Sequence, residues 1–189
     1  LNSRSEVSLE RTFQFKNGQS WTGIPIICAN MSSTGTFEVY DELSKHKMIT
    51  AFHKFYTLDD YMSKTLNPDY FMISTGISDS DYQNLIDITN AIQVKWICID
   101  IANGYIPNLL EFCKKVRKVM PDKIIVAGNI ATPDMVNTLC LEGGVDIVKC
   151  GIGPGSVCTT RLKTGVGMPQ LSCIMECGDA AHGVNKFII

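Results

Sequence analysis

No apolar run in the sequence approaches the ~20 residues that a bilayer-spanning helix requires. The first residues, Leu1-Asn-Ser-Arg-Ser-Glu6, lack the apolar segment of a secretory signal. Charge of one sign is also missing, since 17 Lys and Arg against 19 Asp and Glu leave a net charge of -2. That balance gives no basic footprint for nucleic acid or anionic membrane, so neither is expected as a partner. The eight cysteines form no CxxC pair, and Cys173 and Cys177 lack the companion His or Cys spacing of a zinc site. Cys28, Cys98 and Cys150 fall in strand-like apolar runs, and Cys113, Cys140, Cys173 and Cys177 in helix-like ones. They read as small hydrophobes in a reducing compartment, which predicts a cytoplasmic protein. With 45% hydrophobic and 19% charged residues, the 189-residue chain suits one globular domain with a real core.

Seven short β-rich runs are present, at 24–29, 48–53, 70–74, 96–100, 123–128, 146–151 and 186–189. They are near-continuously apolar rather than alternating, as in strands of a parallel sheet buried on both faces. Between them, helical spacing appears over 36–45 (Phe37, Tyr40, Leu43), 81–93 (Leu85, Ile88, Ile92) and 109–119 (Phe112, Val116, Val119). Thr132-Pro133 reads as an N-cap with proline at N1, opening a helix through Met135, Val136, Leu139 and Cys140 that Gly143-Gly144 stops. Strands recurring every ~25 residues predict an α/β fold of the TIM (β/α)8 barrel type rather than an open doubly wound sheet. A complete barrel takes ~250 residues. The expectation is therefore a single catalytic domain over 1–189 holding about seven β/α units of an incomplete barrel, in a chain cut short of its last strand.

Barrels of this type place their chemistry in the loops after the strands. Polar residues fall there in turn: Asn30, then His53 and Lys54, Ser74 and Thr75, Asp100 and Asn103, Asn129, and last a cysteine loop. That loop is Gly151-Ile-Gly-Pro-Gly-Ser-Val-Cys158-Thr-Thr-Arg161. Its glycines open conformations closed to other residues. Hydroxyls and the Arg161 cation around Cys158 favour thiolate, the nucleophilic form. A buried structural cysteine would need none of these neighbours.

The loop, with the following Leu-Lys-Thr-Gly-Val-Gly-Met-Pro-Gln-Leu-Ser172, closely resembles the catalytic loop of the GMP reductase and IMP dehydrogenase superfamily. Ile99-Asp-Ile-Ala-Asn-Gly-Tyr105, Ile24-Pro-Ile-Ile-Cys-Ala-Asn-Met31 with Gly35-Thr-Phe-Glu38, and Arg161-x-Lys-Thr-Gly-Val-Gly tilt the resemblance to the reductase branch. No space is left between the strands for the CBS-type regulatory insert of most dehydrogenases. The resemblance implies NADPH-dependent reductive deamination of GMP to IMP and ammonia through a Cys158 thioimidate at C2, with Thr160 as a proton relay. In the family a downstream glutamate completes that relay, because a threonine hydroxyl alone is a poor acid. It further implies NADPH contacts from Ser3, Arg4, Lys54, Asp100, Ile101, Ala102, Ile152 and Gly153, and a GMP or IMP site near Met31 and Asn129. Met31 reads equally as a core residue. A potassium ion on backbone carbonyls of Gly153, Gly155 and Cys158, with Arg161 alongside, is implied too, as is a homotetramer. Two departures stand out: Ser32-Ser-Thr34 replaces the family's Asp-Thr-Val, and the phosphate-gripping loops after the seventh strand are missing. The alternatives are an NAD-dependent IMP dehydrogenase, or a non-catalytic nucleotide-binding or assembly protein if the chain ends at Ile189.

Overall fold

A computed structural model of the chain describes residues 3–189. Seven strands form one parallel sheet in chain order: β3 (Ile27–Cys28), β4 (Ile49–Ala51), β5 (Phe71–Thr75), β6 (Trp96–Asp100), β7 (Ile124–Ile130), β8 (Ile147–Cys150) and β9 (Phe187–Ile188). All seven apolar runs are thus strands. β5 is buried along its whole length and β6 and β7 nearly so, because both faces of the sheet are covered.

The outer face carries a helical layer of α1 (Phe37–Leu43), α2 (Leu58–Met62), α3 (Asp79–Ala91), α4 (Pro107–Val119), α5 (Pro133–Asn137) and α7 (Gln170–Gly183), while α6 (Thr160–Thr164), which buries no residue, belongs to the loop after β8. Ile73, Ile97, Ile99, Ile125 and Val148 point outward into a core shared with Leu85, Leu109, Val116, Val136 and Cys177 of those helices. Capping boxes, Thr57 with Asp60 and Ser78 with Asp81, start α2 and α3. The helix foreseen after Thr132 runs to Gly143 as its pattern predicts, but not as one α-helix. α5 has five residues and widens into a π turn over Thr138–Glu142, and the Thr132 hydroxyl faces Tyr105 Oη at 3.0 Å instead of capping.

The inner face is covered by the sheet itself, which curls. β3 and β8 are five strand steps apart, about 24 Å if the sheet were flat. Yet Lys149 Nζ of β8 lies 2.9 Å from Asn30 Oδ1 just after β3. The structure is therefore a half-barrel, as the seven-unit pattern predicted.

A hairpin that the pattern analysis passed over plugs the bottom of this half-barrel. β1 (Arg11–Gln14) and β2 (Ser20–Gly23) pair antiparallel around the turn at Asn17-Gly18, where Gly18 has φ +83°. Phe15 meets Trp96 edge-on at 5.6 Å and Phe187 at 5.6 Å, and Trp21 meets Trp96 at 5.9 Å. These rings fill the inner floor with Ile49, Met72, Ile124 and Ile147.

At that same end, the buried Asp146 ties three elements together. Its Oδ2 accepts from Arg117 Nη2 of α4 at 2.5 Å and from the Ile125 amide of β7 at 3.0 Å, while Oδ1 accepts from Lys186 Nζ at 2.7 Å, next to β9. Removing one member of such a buried cluster strands the others without a counter-charge. Asp146→Ala is accordingly expected to lower unfolding free energy by about 3–5 kcal/mol. Lys45→Ala, which breaks an exposed pair with Glu42, should cost under about 1 kcal/mol. Denaturant titration of both variants checks the contrast.

Candidate active site

The loop after β8 is held at both ends and free in the middle. Gly151 N donates to Ile130 O (2.7 Å), Met168 N to Ile152 O (3.0 Å), and Gln170 Nε2 to Cys150 O (3.1 Å). Gly151 and Gly153 have φ of +127° and +61°, values that a side chain would strain. Between these anchors the chain projects outward, with Val157 93% exposed. Cys158 follows, partly exposed, its amide bonded to Gly155 O at 3.1 Å.

Cys158 Sγ lies 3.3 Å from Thr160 Oγ1. Hydrogen bonds from the Thr160 side chain and backbone hold the Cys158 thiol below its ordinary pKa, with the Arg161 charge a smaller contribution. The hydroxyl thus outweighs the cation among the neighbours expected to favour thiolate. The Arg161 guanidinium instead reaches Gly155 O at 3.4 Å, and its stem packs against Gly153 and Gly167. Elsewhere burial works the other way. It pushes Cys98 and Cys140 up to about 11 and raises Cys113, Cys150 and Cys177 as well. Cys158 thus combines access with a favoured thiolate.

Two cavities flank the strand ends. One of about 410 Å³ is lined by Ala102, Asn103, Tyr105, Ile152, Thr160, Thr164 and Val166. It brings together Ala102, Ile152 and Thr160 from the residues predicted for the site. The second, about 370 Å³, opens on the inner face between Asn30, Met72, Cys98, Asn129 and Lys149. Asn129 is fixed there by its side-chain bond to Gly151 O at 3.1 Å. A charged cluster stands at the mouth: Lys149 Nζ donates to Asp100 Oδ2 and Asn30 Oδ1, both at 2.9 Å, and Asn30 Nδ2 donates to Asp100 Oδ2 at 2.5 Å.

The remaining predicted residues are more scattered. Ile101 packs against the outer core. Lys54 lies in the loop after β4, its Nζ 6.0 Å from the Phe55 ring. Ser3 caps the 3-10 turn Arg4–Glu6 ahead of the hairpin. Glu10, farther along the same segment, is ion-paired to Lys47 before β4, and neither Ser3 nor Arg4 is among the residues lining the two cavities. Met31 is 58% exposed, which corrects its reading as a core residue. The Gly155 carbonyl already accepts from the Cys158 amide and the Arg161 guanidinium.

Lys149 and Tyr105 are the residues that sequence reading missed. Lys149 was visible as the one lysine inside the apolar run Ile147-Val-Lys-Cys150. Tyr105, whose Oη accepts from the Ala131 amide at 3.0 Å, carried no signal beyond its neighbourhood.

Comparison with known proteins agrees with this geometry. Residues 19–189 match the family described as IMP dehydrogenase / GMP reductase domain. The whole chain aligns at 55% identity with the GMP reductase of Photobacterium profundum, at 53% with GMP reductase 2 of Bos taurus and at 51% with GMP reductase 1 of Homo sapiens. It spans 56% of the length of each of these relatives. Among solved structures, the inosine 5′ monophosphate dehydrogenase of Legionella pneumophila superposes with a TM-score of 0.80 at 29% identity, over 100% of this chain and 64% of that one.

The thiol geometry makes a direct prediction. Because its pKa is lowered, Cys158 should keep its thiolate, and its alkylation rate, to lower pH than an ordinary cysteine. Reactivity should be lost as pH falls through that lowered value. Thr160→Val should move the inflection upward. Mass-spectrometric rates of iodoacetamide labelling at Cys158 across pH check this, and an unmoved inflection in the variant would refute the role given to Thr160.

Proposed function

Because this chain belongs to the IMP dehydrogenase / GMP reductase family, we propose that it is the Cys158-bearing part of a GMP reductase, which converts GMP to IMP and ammonia with NADPH. The observation that carries the reading is the lowered Cys158 thiol held against Thr160 on the loop after β8. Relatives named GMP reductase at 51–55% identity favour the reductase over the dehydrogenase.

In this reading the Cys158 thiolate adds to C2 of GMP. The amino group takes up a proton and leaves as ammonia, giving a thioimidate on sulfur. A bound nicotinamide cofactor would supply hydride for that carbon, and Cys158 would then depart as the thiolate to leave IMP. Thr160 Oγ1 is the hydrogen-bond partner of the sulfur and passes protons toward the leaving amine. Among the described residues no carboxylate hydrogen-bonds Thr160, and a hydroxyl alone is a weak acid, so Thr160 acts as a relay. Ala102, Ile152 and the Gly153 backbone line or adjoin the groove that would hold the cofactor. Asp100 would bind through its uncommitted oxygen, and Lys54 through charge on a phosphate. Asn129 and Met31 would face the purine. The backbone carbonyls of Gly153, Gly155 and Cys158, beside Arg161, would be the ligands of a potassium ion.

The same proposal places the protein in the cytoplasm as a homotetramer. Its cysteines are free thiols, which suits a reducing compartment. Leu162, Leu171 and Met175 are exposed on α6 and α7, as subunit contacts would require. No helix among the described residues is long and apolar enough to cross a membrane.

Turnover of GMP with NADPH by the intact protein, measured beside IMP with NAD, tests the reading. Cys158→Ala should reduce GMP turnover by about four orders of magnitude or more while leaving the unfolding transition in place. Activity near the wild-type level in that variant would end the covalent mechanism, and turnover of IMP with NAD alone would reverse the assignment.

A further inference from the structure

The two legs of the cysteine loop meet on one side chain. Gly153 on the outgoing leg and Gly167 on the returning leg lie side by side, and the stem of Arg161 runs across both. A Cβ on Gly167 would collide with Arg161 Cγ and stand 2.6 Å from Cδ, and one on Gly153 would stand 3.1 Å from Cγ. Gly167 lacks the positive φ of Gly153, so room for the stem, not backbone freedom, accounts for a glycine there. At the tip of the stem, the guanidinium reaches Gly155 O at 3.4 Å, the same oxygen that accepts the Cys158 amide at 3.1 Å. Little else packs the middle of the loop, where Val157 and Leu162 are almost wholly exposed.

A segment tied only at its ends samples many positions in its middle, and a side chain that crosses between its legs removes most of them. We propose that Arg161 is a positioning residue: its aliphatic stem, seated in the slot that Gly153 and Gly167 leave open, clamps the two legs together and so fixes where the Cys158 sulfur is presented. Packing does this work, not charge. The guanidinium adds a tie from the end of the stem to the carbonyl that already holds the Cys158 amide. Thr160 precedes Arg161 on α6, so the clamp carries sulfur and hydroxyl as one unit. The clamp itself is independent of the reaction, and its consequence for turnover rests on the function proposed above.

Hydrogen exchange of the intact protein, read by mass spectrometry on peptides covering 151–168, tests this, with α3 (Asp79–Ala91) as the control. Arg161→Ala should speed exchange in 151–168 by about tenfold, the effect expected for two packed methylene groups, and leave α3 as in wild type. Arg161→Met and Arg161→Lys both keep the stem, and each should recover most of that loss. Gly167→Ala pushes the stem out of its slot and should match Arg161→Ala. In the double variant it should add nothing, because no stem is left to displace. In GMP turnover with NADPH, Arg161→Ala should lower kcat by about tenfold, while the pH inflection of Cys158 labelling moves less than in Thr160→Val. Wild-type exchange in Arg161→Ala or in Gly167→Ala would overturn the proposal, and Gly167→Ala decides alone should Arg161→Ala also speed α3. Full additivity in the double variant would overturn it too. So would recovery in Arg161→Lys but not in Arg161→Met, which would assign the effect to charge, or faster exchange with kcat unchanged. Absence of GMP turnover in the wild type would remove the function proposed above, while the exchange pattern would still decide the clamp.

Discussion

Every strand of the parallel sheet has two faces to keep dry, and the architecture follows from how each is covered. Helices between the strands bury the outer face, with Ile73, Ile97, Ile99 and Val148 against Leu85, Leu109 and Val136. Nothing in a β/α repeat covers the inner face except the sheet itself, so it curls until residues of distant strands meet. The floor is closed by rings from the β1–β2 hairpin meeting Trp96 and Phe187. Curling then has a chemical consequence. The C-terminal ends of β3, β6, β7 and β8, far apart along the chain, converge on one opening, where Asn30, Asn129 and Lys149 line one cavity and Asp100 pairs with Asn30 and Lys149.

Two aspartates show how one ion-pair chemistry serves two ends of the same sheet. Asp146, at the head of β8, is buried and has donors on both oxygens, from Arg117, Lys186 and the Ile125 amide. Nothing is left over to bind a ligand, and its work is to lock β7, α4 and the approach to β9 together. Asp100, at the tail of β6, is partly exposed and has both its donors on one oxygen. The second oxygen remains available. Complete pairing marks an aspartate that holds the fold, and incomplete pairing at a strand's C-terminal end marks one that can serve a site. The distinction is one of counting, and it needs the three-dimensional structure to make.

The seven strands were legible in the sequence because continuous apolar runs of β-branched residues leave few other options for a chain of this composition. The cysteine loop was legible for a different reason: glycines at 151 and 153 allow positive φ, and both adopt it. The β1–β2 hairpin is not marked by a continuous apolar run, because its strands are short and largely exposed, although Asn17-Gly18 is a strong turn signal. α2 and α6, five residues each, are too short to show a helical period. Lys149 escaped because its meaning depends on Asp100, 49 residues away, and Asn30, 119 away. Met31 could not be placed from sequence, since methionine suits core and surface alike, and only the turn after β3 exposes it.

Selective reactivity among eight free thiols is the last consequence of this layout. A thiol in a strand or under a helix loses its hydration, and the neutral form is favoured. Cys98 of β6 and Cys140 in the π turn that continues α5 are raised for that reason, and Cys150, the residue that precedes the cysteine loop, is raised as well. Eight residues further on, the chain has left the sheet, and the sulfur of Cys158 meets Thr160 and water instead of apolar side chains. The glycine-rich segment between the two is therefore more than a flexible spacer. It carries the chain from an environment that suppresses thiolate to one that favours it, while the bonds at Gly151, Ile152 and Gln170 keep the far end in register with the half-barrel's mouth. A nucleophile confined to β8 would be positioned but inert, and one on an untethered loop would be reactive but unplaced. Anchoring both ends of the loop and exposing its centre satisfies the two demands together.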